Sequence, residues 1–522
     1  MEAQYLVALS LLVVYILYKQ LSPTHHQKNL PPGPPSLPII GHFHLLKKPI
    51  HTSIDNLLQK YGPIISLRFG SRLAVVVSSP TAIKECLTKN DIIFANRPHL
   101  LIGKHLYYNY TAIGMAPYDD HWRNLRRFTS IKVFSTRRLV MSSSIRQDEV
   151  RIVVREMFKA SIAEFKKVDM KSIFGKFSFN VMFRMLCSKP FFSEEEMIDP
   201  RKDIEKLDQL RSTFSPEGIY GLGDFFPLLK FVDRWRVEKL MLQIFEKREK
   251  IMEKMIAGCR GRRLTTSSYC SSLSTTDTKD DMKEEDDRAV LDDLLSMQEK
   301  EPENYSDNII KGILVALLSA GSDTSASTME WVMSFLLNHL HVLQKARDEI
   351  ECNVGSDRLL NESDLDKLPY LSCIIKETLR IRSLGPFLGP HESAEDCTLE
   401  GYYIPKGTML LVYKHALHID PKVWPEPLMF KPERFETRIE ETEGCKWIPF
   451  GMGRRGCPGE TLGMRTVGLM VGVLIQCFEW ERVGGEVVDI VAKTGRPVET
   501  KLKPLEAMYK PHAALLHVIS QL

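Results

Sequence analysis

The chain begins with an uncharged apolar run, "AQYLVALSLLVVYILY" from Ala3 to Tyr18, which Lys19 closes. As a helix this run spans roughly 24 Å, slightly short of a hydrocarbon core of roughly 30 Å. Further along, apolar residues recur at helical spacing over Asp203–Leu210, Trp235–Ile256, Asp307–Leu340 and Leu368–Leu379, which predicts a helix in each. Two β-rich runs around Gly70-Ser71, within "IISLRFGSRLAVVVSS" from Ile64 to Ser79, predict a hairpin. "TMLLVY", Thr408 to Tyr413, predicts a further strand. Most of the remaining pattern reads helical, so the body is expected to be mainly α with a small β region.

Two stretches interrupt the periodicity. "LPPGPPSLPIIG", Leu30 to Gly41, has prolines at 31, 32, 34, 35 and 38, and reads as an extended, semi-rigid spacer or a plain surface linker. Arg260 to Arg288 is rich in Ser and Thr and then acidic. It lacks the apolar content to fold and is expected to be a loop between two helices. The organisation that follows is an anchor over 1–20, a proline-rich linker over 21–45 and one body over 46–522, with 260–288 as its loop. No internal repeat is visible.

Composition changes this picture little. Hydrophobic residues are 43% and charged residues 26% of 522, ordinary for a chain with a sizeable core. A net charge of +4, without a basic block interleaved with aromatics, argues against a nucleic-acid partner. The ten cysteines form no CxxC pair and no zinc-like Cys/His spacing, so free thiols in a reducing compartment are expected. The rival to a membrane anchor is a cleaved signal peptide. Glu2 replaces the basic start such a peptide wants, and "KQLSPTHHQK" offers no A-x-A cleavage pattern. Lys19 and Lys28 favour keeping the following side cytosolic, where the sequons at Asn109, Asn304 and Asn361 would stay unmodified.

The candidate chemistry centres on "PFGMGRRGCPGE", Pro449 to Glu460. Glycines 451, 453, 456 and 459 allow peptide N–H groups to approach the Cys457 sulfur, and Pro458 suits the first turn of a following helix whose N-terminal end favours an anion. Gly463, Gly468 and Gly472 in that helix would admit something wide and flat. One cysteine cannot satisfy zinc. It can be the sole protein ligand of a haem iron, whose other equatorial ligands come from the porphyrin.

Phe450, Gly453, Arg455, Cys457 and Gly459 match F-x-x-G-x-R-x-C-x-G, so the chain resembles the cytochrome P450 monooxygenases. "ALLSAGSDTSASTMEW" (Ala316 to Trp331) is similar to the family's A-G-x-D/E-T-T/S motif, a polar notch in an apolar helix. The resemblance implies that Ala320 and Gly321 leave room for dioxygen, that Thr324 hydrogen-bonds the iron–oxygen centre and that Asp323 relays protons. It implies that Glu377, Arg380 and Arg434, from "KETLR" and "FKPERF", form a buried structural triad. It implies that Phe450, Gly451 and Gly459 line the cofactor. By the same resemblance Trp122, Arg126, Arg455 and His391 are expected to contact the haem propionates, for which arginine is well shaped.

The match extends over nearly the whole chain, through "FANRP", "LPYL", "PHESAEDC" and "IPKGTMLLV", and looks like plant microsomal members that hydroxylate isoflavonoids or close methylenedioxy bridges on lignans. It implies one mostly helical domain with haem b, electrons from NADPH through a cytochrome P450 reductase, O2, a hydrophobic small-molecule substrate and the endoplasmic reticulum membrane. Arg123, Arg127, Lys132, Arg137 and Arg138 form a basic region that suits an acidic reductase. Expected pocket walls are 98–118, 207–225, Ile313–Ala320 and Leu384–Leu388. The chain departs from that group at Arg382 and Ser383, at Lys414–His418, and in the tail "DIVAKTGRPVETKLKPLEAM". Hydroxylation, oxidative ring closure or coupling, and a non-catalytic haem carrier or sensor stay open at this level, although a carrier has no need of Thr324.

Overall fold

The structure is a computed structural model. It describes residues 29–522 except 48, 162–163, 198–199, 217–218, 220, 271–287, 437–444 and 494–497, together with Gln4, Tyr5, Val7, Ser10, Leu11, Leu12 and Tyr15; side chains at 200–204 and 265–270 are outside the description. The expected anchor therefore lies mostly outside the described residues. Those of its residues that are described are helical, and Tyr5, Val7, Leu11, Leu12 and Tyr15 are exposed.

The helices that position the site are α1 (Asp120–Phe128), α2 (Met170–Cys187), α3 (Pro200–Phe214), α4 (Lys230–Cys270), α5 (Asp307–Asn338), α6 (Pro369–Ile381) and α7 (Glu460–Cys477). Each predicted helix falls inside one of them, except that α5 ends at Asn338, two residues short of the predicted Leu340, and Leu368 is the N-cap of α6 and not its first residue. Their starts follow local chemistry: Asp119 caps α1 by accepting the Trp122 N–H at 2.8 Å, and Asp169 caps α2 through Ser172 N–H at 3.2 Å. α5 is apolar on nearly every side and is the axis of the core, buried from Ser325 to Leu337. Among the described residues it alone is long and apolar enough to cross a membrane, and burial in the body accounts for that character. Its one deep carboxylate, Glu330, accepts the Leu505 N–H at 2.9 Å.

The strands are β1 (Ile64–Phe69), β2 (Arg72–Val77), β3 (Lys166–Asp169), β4 (His391–Glu392), β5 (Met409–Val412), β6 (Phe478–Arg482) and β7 (Glu506–Pro511), beside two short ribbons, Cys397–Leu399 with Tyr402–Ile404 and Ala492–Lys493 with Thr500–Lys501. The larger sheet runs β1-β2-β5-β4. β1 and β2 form the predicted hairpin with Ile64 opposite Val77, and β5 joins β2 in parallel with Ala74 opposite Met409. β3, β7 and β6 form a second, antiparallel sheet.

Two expectations need correction. The described part of the proline-rich stretch is no free spacer. Ser66 N–H donates to Pro32 O at 2.9 Å, His42 Nε2 bonds Pro34 O at 2.8 Å, and His42 N–H reaches Arg68 O at 2.7 Å. Proline cannot continue a sheet ladder, but its carbonyls still accept, so the segment lies along the edge of β1 and is fixed to the body. Secondly, residues 260–270 are helical, as the end of α4. Arg260 pairs with Asp307 at 2.7 Å and Arg263 with Glu299 at 3.1 Å, so these basic residues dock on neighbouring helices. The rest of the expected loop, 271–287, lies outside the described residues.

Candidate active site

Between α1, α2, α5 and the loop before α7 the body encloses a cavity of about 470 Å³, within the usual range for small-molecule sites. The cysteine loop forms its floor. Gly451 (φ +73°) and Gly453 (φ +70°) take left-handed backbone, and a Cβ on Gly453 would lie 2.6 Å from Leu87 O, so the turn requires glycine there. Cys457 N–H donates to Phe450 O at 2.9 Å. The sulfur is enclosed by protein, yet accessible from the cavity it lines. Burial raises the Cys457 thiol above its ordinary pKa, and this outweighs the Gly459 N–H, Arg126 and Lys414, which favour the anion. The loop N–H favours the anion as expected, and a cation facing the sulfur would offset the cost of burial.

Arginines ring one side. Arg126 donates to Gly456 O at 2.8 Å. Arg455 donates to Ala95 O and Ala116 O, both at 2.6 Å, and lies over the Trp122 ring at 4.4 Å. Trp122 gives its indole N–H to Ile113 O at 3.1 Å, so it meets the cavity as a stacking surface, without a free donor. Arg97, which sequence reasoning passed over inside "FANRP", also lines the cavity. It donates to Gly389 O and Pro390 O at 2.7 Å, while its Nε is buried without a partner. Among the described residues none of these three guanidinium groups has a carboxylate partner. Burial pulls Arg97 down to about 10 and Arg455 down to about 9, and lowers Arg126 too. His391 stands behind this wall and is not among the lining residues. Its Nδ1 bonds Phe94 O at 2.7 Å, and burial beside Arg97 lowers it to about 3.

The wall from α5 carries Ala316, Leu317, Ser319, Ala320, Gly321, Thr324 and Ser325. Thr324 Oγ1 donates back to Ala320 O at 2.5 Å. Asp323 points away from the cavity and pairs with Arg211 of α3 at 3.5 Å. A Cβ on Gly321 would stand 2.5 Å from Met182 Sδ, so this glycine admits the close approach of α2. Gly468 and Gly472 serve helix packing likewise: a Cβ would stand 3.3 Å from Leu365 at the first and 3.0 Å from Leu360 at the second. Of the three α7 glycines only Gly463 lines the cavity, which corrects the expectation that all three admit a flat ligand.

Other expected walls divide. Residues Ile102, Tyr107, Ile113, Phe214, Ser215 and Pro216 line the cavity, as do Val498, from the divergent tail, and Val181, which the sequence did not single out. Leu384–Leu388 does not. Phe387 stacks on Tyr413 at 4.7 Å and Leu384 accepts the Glu499 N–H at 3.2 Å, which turns this stretch toward the β region. On the far side of the loop Glu377 and Arg380 are fully buried and joined by two bonds of 2.7 and 2.8 Å, with Arg434 at 3.3 Å from Glu377. In the basic region, Arg138 and Lys132 meet Asp293, and Arg123 meets Asp120, so part of that charge is already neutralised.

Among the described residues no group of three or more His, Cys, Asp or Glu side chains can hold a metal. A metal facing Cys457 must therefore bring its other ligands, and the unpaired guanidinium groups beside it await carboxylates. A haem with two propionates meets both conditions, which defines a haem-thiolate protein. Residues 31–507 match the family Cytochrome P450, and the chain belongs to it. It is 44% identical to an isoflavone 3'-hydroxylase of Medicago truncatula over 97% of each chain. It is also 44% identical to cytochrome P450 81Q32 of Catharanthus roseus over 98% of each. It is 42% identical to a (+)-piperitol/(+)-sesamin synthase, CYP81Q2, of Sesamum radiatum, over 100% of this chain and 99% of that one. The protein is a monooxygenase that uses haem b and electrons passed from NADPH by a reductase, so a bare electron carrier or sensor is set aside.

Proposed function

We propose that this enzyme hydroxylates a hydrophobic plant specialised metabolite, a phenolic such as an isoflavonoid or lignan, or a terpenoid, with Cys457 as the axial ligand of the haem iron. The observation that carries the reading is the juxtaposition of one cavity-facing sulfur with three guanidinium groups that lack counter-ions. Haem, when bound, supplies activation of dioxygen, with one oxygen atom entering a C–H bond and the other leaving as water.

The remaining work falls to the chain. Arg97, Arg126 and Arg455 would hold the propionates, Trp122 backs Arg455, and the Pro390 carbonyl, next to His391 in the chain, holds Arg97. Phe450 and Gly459 shape the floor, while Gly451, expected there, does not line the cavity and serves the turn of the loop. Ala320 and Gly321 on the cavity wall would leave room for dioxygen, and Gly321 also admits the close approach of α2. Thr324 Oγ1, now on Ala320 O, would hold a proton for bound dioxygen, and Asp323, now paired with Arg211, would resupply it. The apolar walls, Ile102, Ile113, Val181, Leu317 and Val498 among them, exclude water and select an apolar substrate.

Ring closure is the second reading, favoured by the resemblance to a (+)-piperitol/(+)-sesamin synthase. Incubation of membranes carrying the enzyme, a plant reductase and NADPH with a panel of phenolics and terpenoids separates the two. A product heavier by one oxygen supports hydroxylation; loss of two hydrogens supports ring closure. Cys457→Ala should abolish the reduced carbon-monoxide band, and an unchanged spectrum refutes the ligand assignment.

The same proposal places the protein at the endoplasmic reticulum membrane through an anchor over 1–20, with its body in the cytosol. Leu228, Phe231 and Trp235, 76, 65 and 82% exposed, add an apolar surface at the start of α4. Removing residues 1–28 should release the body from membranes; full retention would show that this surface holds it alone.

A further inference from the structure

The three stretches in which the chain departs from the group it resembles lie far apart in sequence, yet they meet in space. Lys414 is buried, and its Nζ donates to Ser383 O at 2.7 Å and to Pro449 O at 2.9 Å. Glu499, from the tail, donates its N–H to Leu384 O at 3.2 Å and accepts the Trp331 indole N–H at 3.5 Å through its carbonyl. The Arg382 guanidinium lies over that same Trp331 ring at 5.2 Å. Arg382, Lys414 and His51 all act electrostatically on the Glu499 carboxyl. Two substituted positions, 383 and 414, are thus joined by a hydrogen bond, and burial raises the Glu499 carboxyl of the tail while the nearby cations pull it back toward its charged form.

This cluster lies against the floor of the active site. Pro449 directly precedes Phe450, whose carbonyl accepts the Cys457 N–H at 2.9 Å. Lys414 therefore holds the peptide at which the cysteine loop begins, and its charge reaches the sulfur, favouring the anion. Burial lowers its ammonium to about 8, which leaves it mostly protonated at neutral pH. A buried charge is little screened by salt, so its field persists across the loop. Adding an electron to the cofactor is favoured by a nearby cation and opposed by a nearby anion.

We propose that the buried charges of Lys414 and Glu499 set the reduction potential of the haem iron, Lys414 acting as a positioning residue that raises it and Glu499 as the counter-charge that lowers it. The proposal rests on Cys457 being the iron's ligand. The step it concerns is the transfer of one electron, from the reductase in the cell or from dithionite in the assay, onto the oxidised iron, with no bond formed or broken in the protein.

The test is a spectroelectrochemical titration of the full-length, haem-loaded chain with dithionite. Lys414→Met removes the charge at similar volume and should shift the one-electron equilibrium toward the oxidised form by on the order of tenfold, which is 59 mV for one electron. Lys414→Arg should restore most of that shift, and Glu499→Gln should move the equilibrium the opposite way. A Lys414→Met protein with an intact thiolate carbon-monoxide band and the wild-type midpoint overturns the proposal. Should Lys414→Met fail to hold haem, Glu499→Gln decides: a rise supports the proposal and an unchanged midpoint overturns it. Absence of the thiolate band from the wild-type protein would instead overturn the ligand assignment, and the proposal with it.

Discussion

Arg380→Ala is the perturbation whose cost the structure defines most sharply. Arg380 and Glu377 are both 0% exposed. The substitution removes the two bonds to Glu377, a 2.7 Å bond to His418 O and the placement of the guanidinium over Trp424 at 5.3 Å. Glu377 is left with Lys431 N–H at 3.0 Å and Arg434 Nε at 3.3 Å. An uncompensated buried charge of this kind costs roughly 3–5 kcal/mol, a large share of a total stability of about 5–15 kcal/mol. Arg434→Ala removes the longer contact to Glu377 and a 2.7 Å bond to Glu426 O from a side chain that is 10% exposed, and should cost about 1–3 kcal/mol.

The effect should also reach the cofactor. Arg380 fixes the His418 carbonyl, and His418 Nε2 accepts the Ile448 N–H at 3.0 Å at the start of the cysteine loop. Loosening Arg380 should therefore speed haem loss as well as lower stability. Urea unfolding followed by tryptophan fluorescence, and Soret absorbance against time for haem retention, measure the two effects. A double-mutant cycle with Glu377→Ala should give a coupling of at least ~2 kcal/mol, since each single change strands the other partner. Additive effects, or an Arg380→Ala midpoint within about 1 kcal/mol of wild type, would refute the reasoning.

Acidification gives a second test. Burial holds His391 at about 3 and His415 at about 4, against roughly 6.5 when unfolded. The unfolded chain binds the extra protons, so the contribution is complete above pH ~6.5 and falls by about 1.4 kcal/mol per pH unit per histidine below it. Unfolding free energies at several pH values between 7.5 and 5 should show this slope, to which His418, also lowered by burial, adds, and His415→Gln should remove one histidine's share of about 1.4 kcal/mol per pH unit; a flat profile contradicts the assigned burial. Thr324→Ala should raise hydrogen peroxide released per NADPH consumed, whereas tight coupling would count against a proton-holding role for Thr324 Oγ1.

Much of the frame was legible because it depends on local pattern. The apolar periodicity of α5 needs no partner to be read, and the glycines and prolines around Cys457 announce a turn whatever surrounds it. Glu377 and Arg380 could be paired from their spacing on one helix, while Arg434 entered only through resemblance. The misreadings share a cause: each turns on a partner distant in sequence. The prolines at 31–34 meet β1, the basic end of α4 meets Asp307 and Glu299, and Gly468 and Gly472 meet residues near α6. Leu384–Leu388 was placed in the cavity wall because nothing in its own sequence says that Glu499 and Tyr413 hold it elsewhere. Arg97 is the same case, since an arginine before a proline carries no mark of burial.

The buried cations explain one another once they are considered together. Arg97, Arg455 and Lys414 are all held below their ordinary basicity by burial, a cost to the folded chain that Glu499 offsets only in part, and only for Lys414. A chain selected for stability alone would replace them with apolar side chains of similar size. Their positions differ: two line the cavity, and the third holds the Pro449 carbonyl at the start of the cysteine loop. Carboxylates and a metal-bound thiolate at those points would supply the missing anions. Cofactor binding then becomes part of the folding free energy, as it does for any ligand that binds only the native state. The haem-free protein should accordingly be the less stable form, because these charges are organised for an occupant and not for the empty fold.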